Sequence, residues 1–137
     1  MKTFLLVFVS LLFAGIAFGQ SIKKGSLLGV HVEDVKLGSG VSMDQYIDFL
    51  KNKYAPEYEK AFGSKVHIVK GVRGENTNKY AMVIIYDSPQ TRDKYFKADG
   101  TVTETAGKSA SAKMESLNKE LEKLGTSDSK YTDWVVQ

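Results

Sequence analysis

Residues Lys79–Phe96 read KYAMVIIYDSPQTRDKYF. The apolar run ends at Asp87-Ser88-Pro89, where serine is a cap and proline suits the first helical turn. This is a strand handing over to a helix, and its surroundings decide the fold. Upstream, KVHIVKGV (Lys65–Val72) is a second strand, and RGENTN (Arg73–Asn78) has the glycine and asparagine of a hairpin turn. Met82, Val83, Ile84 and Ile85 run together without alternation, as in a strand buried on both faces.

Further out, LLGVHVEDVKL (Leu27–Leu37) has the period of two of a strand, ended by Gly38-Ser39-Gly40. Ser42 stands three residues before Gln45, the spacing of a capping box. Met43, Tyr46, Ile47, Leu50 and Tyr54 then form one helical stripe. Pro56 predicts a kink or restart before Tyr58, Ala61 and Phe62, and Gly63 closes the segment. The helix opened by Ser88-Pro89 is expected to reach about Phe96, and Thr101–Ser111 to be a loop or frayed helix start. Ala110, Met114, Leu117, Leu121 and Leu124 make the stripe of a helix packed on a sheet, ended by Gly125. TSDSK reads as a linker and YTDWVVQ (Tyr131–Gln137) as a short last strand.

The order is β-α-β-β-α-β, the ferredoxin-like α+β arrangement. It predicts a four-stranded antiparallel sheet with helices on one face, and something else must cover an apolar second face. One ferredoxin-like domain is expected over residues 27–137.

The first residues give an address. MKTFLLVFVSLLFAGIAFGQ has one charge, Lys2, an apolar middle and small residues at Ala17 and Gly19. This is the layout of a secretory signal peptide, expected over residues 1–19, with a flexible leader over residues 20–26. Its apolar stretch is short against the roughly 20 residues of a membrane span. Cleavage would leave a chain of about 118 residues, the size of one domain. The chain has no cysteine, so neither disulfides nor a cysteine-linked lipid hold it. The expected product is soluble, exported to a periplasm or beyond, and off the membrane. The pI near 9 does not argue for nucleic acid, because lysines alternate with acids in KNKYAPEYEK and KMESLNKELEK, as on a solvated helix face.

KVHIVKGVRGENTNKYAMVIIYDSPQTRDKYF (Lys65–Phe96) resembles the dimeric α+β barrel superfamily, with its antibiotic-biosynthesis monooxygenase-like and NIPSNAP-like domains. YAPEYEKAF, an aromatic helix end beside a proline, and the junction YDSPQTRDKYF carry the likeness. The segment from Gly71 is also similar to exported bacterial proteins of no assigned activity. The resemblance implies a homodimer closed through the sheet. It implies no single function, since the superfamily holds cofactor-free oxygenases, haem enzymes and proteins of unknown role.

Candidate site residues follow from the strand alternation. Leu28, Val30, Val32, Val66, Ile68, Val83 and Ile85 are expected against helix residues Ile47, Leu50, Met114, Leu117 and Leu121. His31, Glu33, His67, Tyr80, Met82 and Tyr86 would then face the uncovered side and line a cavity between subunits. No metal is expected, because two histidines and a glutamate on separate strands lack ligand spacing. Haem held by one histidine is the cofactor that the resemblance admits, and no feature marks either histidine as its axial ligand. Gly107-Lys108-Ser109 is not a phosphate loop, since Val102 stands where the motif needs glycine. No G-x-S-x-G occurs. Arg73 and Glu75 read as a solvated turn.

Two functions follow as expectations. One is a non-enzymatic exported dimer holding a small apolar ligand. The alternative is a cofactor-independent oxygenase or isomerase, or a haem-dependent enzyme, with histidine as base or axial ligand and tyrosine orienting an oxygen.

Overall fold

The computed structural model describes residues 22–137, so the signal-peptide segment lies outside the described residues. Four strands form one antiparallel sheet: β1 (Leu27–Leu37), β2 (Lys65–Lys70), β3 (Tyr80–Tyr86) and β4 (Gly125–Val135). Their order is β2-β3-β1-β4, the ferredoxin-like order. The helices are α1 (Met43–Phe49), α2 (Ala55–Phe62), α3 (Pro89–Asp93) and α4 (Lys108–Leu124). The expected α+β fold is therefore present.

The local signals act as read. Ser42 Oγ accepts from the Gln45 amide at 3.2 Å, and Gln45 Oε1 accepts from the Ser42 amide at 2.8 Å. Ser88 Oγ accepts from the Thr91 amide at 3.2 Å, with Pro89 opening α3. The helix restarts at Ala55 with Pro56 in the first turn of α2, as expected. Leu50–Tyr54 widen into a π turn, and the Ala55 amide donates to Leu50 O. The wider turn takes up a residue that brings no donor and crowds an ordinary turn.

Three boundaries differ from expectation. Helix α3 stops at Asp93 rather than near Phe96. Strand β4 begins at Gly125, so the expected linker Thr126–Lys130 is strand, paired from Lys36 back to Val32. It is an edge strand whose residues past Gly125 are exposed, so burial imposes no alternation on its sequence. A Cβ on Gly125 would stand 2.8 Å from Lys36 O, so glycine allows helix to pass straight into strand there. The leader is also tied at its end. Gly25 N donates to Val136 O at 2.8 Å, and Ser26 is among the most buried residues.

Two packed clusters make the core. Leu27, Val66, Ile84 and Tyr86 of the sheet meet Ala55 of α2. Phe49, Ala61, Phe62, Met114 and Leu117 join the helices to each other. Tyr58 and Phe96 touch both, with ring centroids 4.6 and 4.8 Å from that of Phe62.

The register corrects the face assignment. Gly29 lies opposite Ile84 and Asp133, and Ile84 lies opposite Val66. Directly paired residues share a face. Val66 and Ile68 therefore face the helices as expected, but they share that face with His31, Glu33, Tyr80, Met82, Ile84 and Tyr86. Leu28, Val30, Val32, Val83 and Ile85 take the opposite face, with His67. Apolar residues on both faces of β1 and β3 remove the contrast from which a face is read, and one residue of slip inverts it.

We expect Ile84→Ala to cost about 2–5 kcal/mol, as for a buried large aliphatic. Val30→Ala should cost clearly less under dilute conditions. Urea melts of both variants check this, and equal costs would put the helices on the wrong face.

Candidate functional site

The helix-facing side of the sheet is not filled by side chains. A cavity of about 470 Å³ lies between β1, β3, β4, α2 and the segment after α3. Tyr58, Ile84, Tyr86 and Phe96 form its apolar wall, while His31, Arg92, Tyr131 and Asp133 form a polar one. Lys97–Gly100 stand at the rim as an exposed turn.

Gly29 opens the space for the polar wall. A Cβ there would lie 3.3 Å from both Asp133 Oδ1 and Tyr131 Cε2. Arg92 Nη1 donates to Asp133 Oδ2 at 2.7 Å and to the Tyr131 oxygen at 3.3 Å, and its Nε donates to Asp93 Oδ1 at 2.6 Å. The Tyr131 hydroxyl donates in turn to the Asp133 carboxylate. Burial opposes the Arg92 charge, but hydrogen bonds to Asp93 and Asp133 outweigh it and raise the guanidinium pKa. Burial, then the hydrogen bond to Asp133, push the Tyr131 phenol up to about 12. Arginine is thus committed to two carboxylates, and tyrosine stays protonated at neutral pH.

His31 lies against this network. Its ring centroid is 4.4 Å from that of Tyr131, and Nδ1 is 3.3 Å from Ser129 Oγ. Burial lowers its pKa below 6.5, opposed by the charges of Glu33 and Asp133. The imidazole is therefore neutral at pH 7. Burial also raises the Tyr58 and Tyr86 phenols, and the Tyr86 oxygen is shielded from water, with no hydrogen bond of good geometry among the described residues.

A second cavity of about 180 Å³ lies further along the same face, with Ser129 in both walls. Glu33, Tyr80 and Met82 line it, together with Tyr46, Leu50, Tyr54, Ile68 and Ser127. The six sequence-derived candidates therefore separate. His31 and Tyr86 line the first cavity, Glu33, Tyr80 and Met82 the second, and both cavities lie within the protomer. His67 stands exposed on the other face, so the two histidines share no cavity.

Arg92, Ser129, Tyr131 and Asp133 did not emerge as candidates from the sequence. Ser129, Tyr131 and Asp133 alternate along β4 and so share one side, but SKYTD is polar throughout and has no apolar alternation to mark that side. Among the described residues, no three His, Asp or Glu side chains stand together as a metal site. For haem, His31 is the one histidine at a cavity, and its ring face and Nδ1 are already engaged by Tyr131 and Ser129.

No protein-family model matches the chain, and no curated protein does. Among solved structures, a NIPSNAP family protein of Agrobacterium tumefaciens is similar, with TM-score 0.57 and 13% identity over 84% of this chain and 89% of that one. The chain shares with that protein the ferredoxin-like α+β fold. A second NIPSNAP family protein of that bacterium, of unknown function, gives TM-score 0.49 and 11% identity over 81% and 89% of the two chains. A dimeric protein of unknown function and ferredoxin-like fold from Bacteroides fragilis gives 0.42 and 10% over 82% and 97%. At these identities the likeness concerns the fold, which the expected NIPSNAP-like resemblance had already named.

The half-buried His31 has a consequence for stability. Its folded pKa is depressed, so the unfolded chain takes up the proton first as pH falls. The His31 contribution is fully present above 6.5 and is lost as pH falls through that value toward the lower folded pKa. We expect His31→Gln to lose less stability than the native chain between about pH 7.5 and about pH 5, measured as urea midpoints. Equal losses would mean that His31 is not held neutral.

Proposed function

We propose that this ferredoxin-like, NIPSNAP-like domain is an exported binding protein that holds a small neutral ligand in the larger cavity of each protomer. The observation that carries this reading is the pairing of an apolar wall, Tyr58, Ile84 and Phe96, with a convergent polar wall, His31, Tyr131 and Asp133. A mostly apolar concavity with a few placed polar groups is the usual form of a small-molecule site. Because Arg92 is neutralised by Asp93 and Asp133, the wall favours a hydroxyl or carbonyl over a carboxylate. Export rests on the signal-peptide layout of residues 1–19.

The sheet face away from the helices supports a homodimer in this reading. It is apolar: Ile85 is buried, Leu28, Val30, Val32 and Val83 are half-buried, and Trp134 is 61% and Val69 43% exposed beside them. A second copy laid on this face would cover surface that a monomer seldom leaves open. The ligand then lies behind the sheet in each subunit, not between the subunits.

Both parts have direct tests. Titration with p-cresol, a neutral phenol, followed by calorimetry or NMR, should show saturable binding. Binding should weaken about tenfold in Asp133→Asn, by loss of one charged hydrogen-bond acceptor. Absence of saturation with any small neutral phenol or ketone would defeat the binding reading. Sedimentation at tens of micromolar should give a dimer for the native chain and a monomer for Trp134→Lys. A native monomer would defeat the interface.

A catalytic reading has one observation in its favour, a neutral histidine beside the cavity. In that reading His31 takes a proton either from a bound phenol, the first step of cofactor-independent oxygenation, or from the carbon beside a ketone carbonyl, the first step of isomerisation through an enolate. Solvent deuterium exchange into an enolisable ketone, abolished by His31→Ala, would favour it over simple binding.

A further inference from the structure

The smaller cavity has its own chemistry, independent of the larger. Its walls contain one formal charge, the Glu33 carboxylate, and no lysine, arginine or histidine. Glu33 Oε2 is shielded from water and has no hydrogen-bond partner among the described residues. A shielded carboxylate oxygen without a donor is costly, and a rotated hydroxyl of the wall, a proton, a water or a cation would remove that cost. The rest of the wall favours the cation. Tyr46, Tyr54 and Tyr80 surround the space, and the negative face of an aromatic ring attracts an ammonium group. Ser127 and Ser129 add two hydroxyl oxygens that can accept from N–H donors. The Glu33 charge is felt by this wall: after burial, it helps to raise the phenol pKa of Tyr46 and of Tyr54.

One ring of this wall already attracts such a group. Lys70 Nζ stands 5.7 Å from the centroid of the Tyr80 ring. Lys70 itself is outside the cavity wall, so its ammonium does not serve Glu33 there. At about 180 Å³ the space equals the volume of about six waters in the liquid, enough for a small organic cation.

We propose that the cavity lined by Glu33, Tyr46, Tyr54 and Tyr80 is a binding site for a small organic ammonium ion. The carboxylate supplies the counter-charge, and the three rings supply a surface that accepts methyl groups as readily as N–H. A metal ion suits it less, since a hard cation needs six or more oxygen ligands and this wall offers one carboxylate.

The test is an NMR titration of the mature chain with methylammonium chloride and with tetramethylammonium chloride, each against sodium chloride at equal ionic strength. Saturable shifts of the Tyr46, Tyr54 and Tyr80 rings are expected with at least one ammonium salt and not with sodium. Glu33→Gln should weaken that binding tenfold or more, while Asp133→Asn, in the other cavity, should leave it unchanged. If Glu33→Gln does not fold, Tyr54→Leu should weaken binding at least threefold. The proposal is overturned by equal responses to sodium and ammonium salts, by undiminished binding in Glu33→Gln, or by undiminished binding in Tyr54→Leu. Failure of p-cresol binding would leave this site standing, and failure here would leave the larger cavity standing.

Discussion

Everything on either side of this sheet depends on the register of β1. Leu27 pairs with Tyr86 on one side and Val135 on the other, and the pairing continues without a bulge to Glu33 on the β3 side and to Leu37 on the β4 side. Because side chains alternate, this one alignment settles the face of each residue in three strands. It puts Leu27, Ile84 and Tyr86 under α2, where burial of apolar surface stabilises the fold. It also puts Gly29, His31 and Glu33 on that same face, where small and polar residues leave the helix layer unfilled. Core and cavities are thus consecutive parts of one surface: packed where β3 meets α2, open where β1 meets β4.

The openness has to be held, because an edge strand with exposed residues has little packing of its own. Arg92 supplies a tie. From the last turn of α3 it reaches Asp133 on β4 and is steadied by Asp93 beside it. A partly buried, charge-assisted contact of this kind fixes position better than an exposed pair of flexible chains. It joins the helix after β3 to the edge strand across the mouth of the cavity. The residues that shape the site in this way add a side-chain tie to the ladder that holds β4 against β1 from Gly125 to Val135.

Much of the fold was legible in the chain. The capping box at Ser42, the Ser88-Pro89 start and the stripe from Ala110 to Leu124 are local signals, and each acts within a few residues. The faces were not legible, because Leu27, Leu28, Val30, Val32 and Val35 place apolar groups on both sides of β1. No single strand then says which side meets the helices. Packing decides it: Val66 and Ile84, paired across the sheet, both lie in the cluster with Ala55 of α2. The site was legible in part for the same reason. His31, Glu33, Tyr80, Met82 and Tyr86 do stand together on one face, but it is the helix face, and His67 is parted from them by the thickness of the sheet. Ser129 lay in the expected linker, which only its partner strand reveals as β, and Tyr131 and Asp133 lay on the expected last strand, whose polar residues do not mark a face.

The central claim is that the cavity face of the sheet is the helix face, with His31 on it and His67 on the other. The chain has only two histidines, so their ring protons are separable by NMR. A nuclear Overhauser spectrum of the mature chain should show the His31 ring close to the ring protons of Tyr131 and far from the Val83 methyls. It should show the His67 ring close to Val83, its partner across β2 and β3. Contacts from both rings to the Val83 methyls, with none from His31 to Tyr131, would place the two histidines on one face and contradict the account.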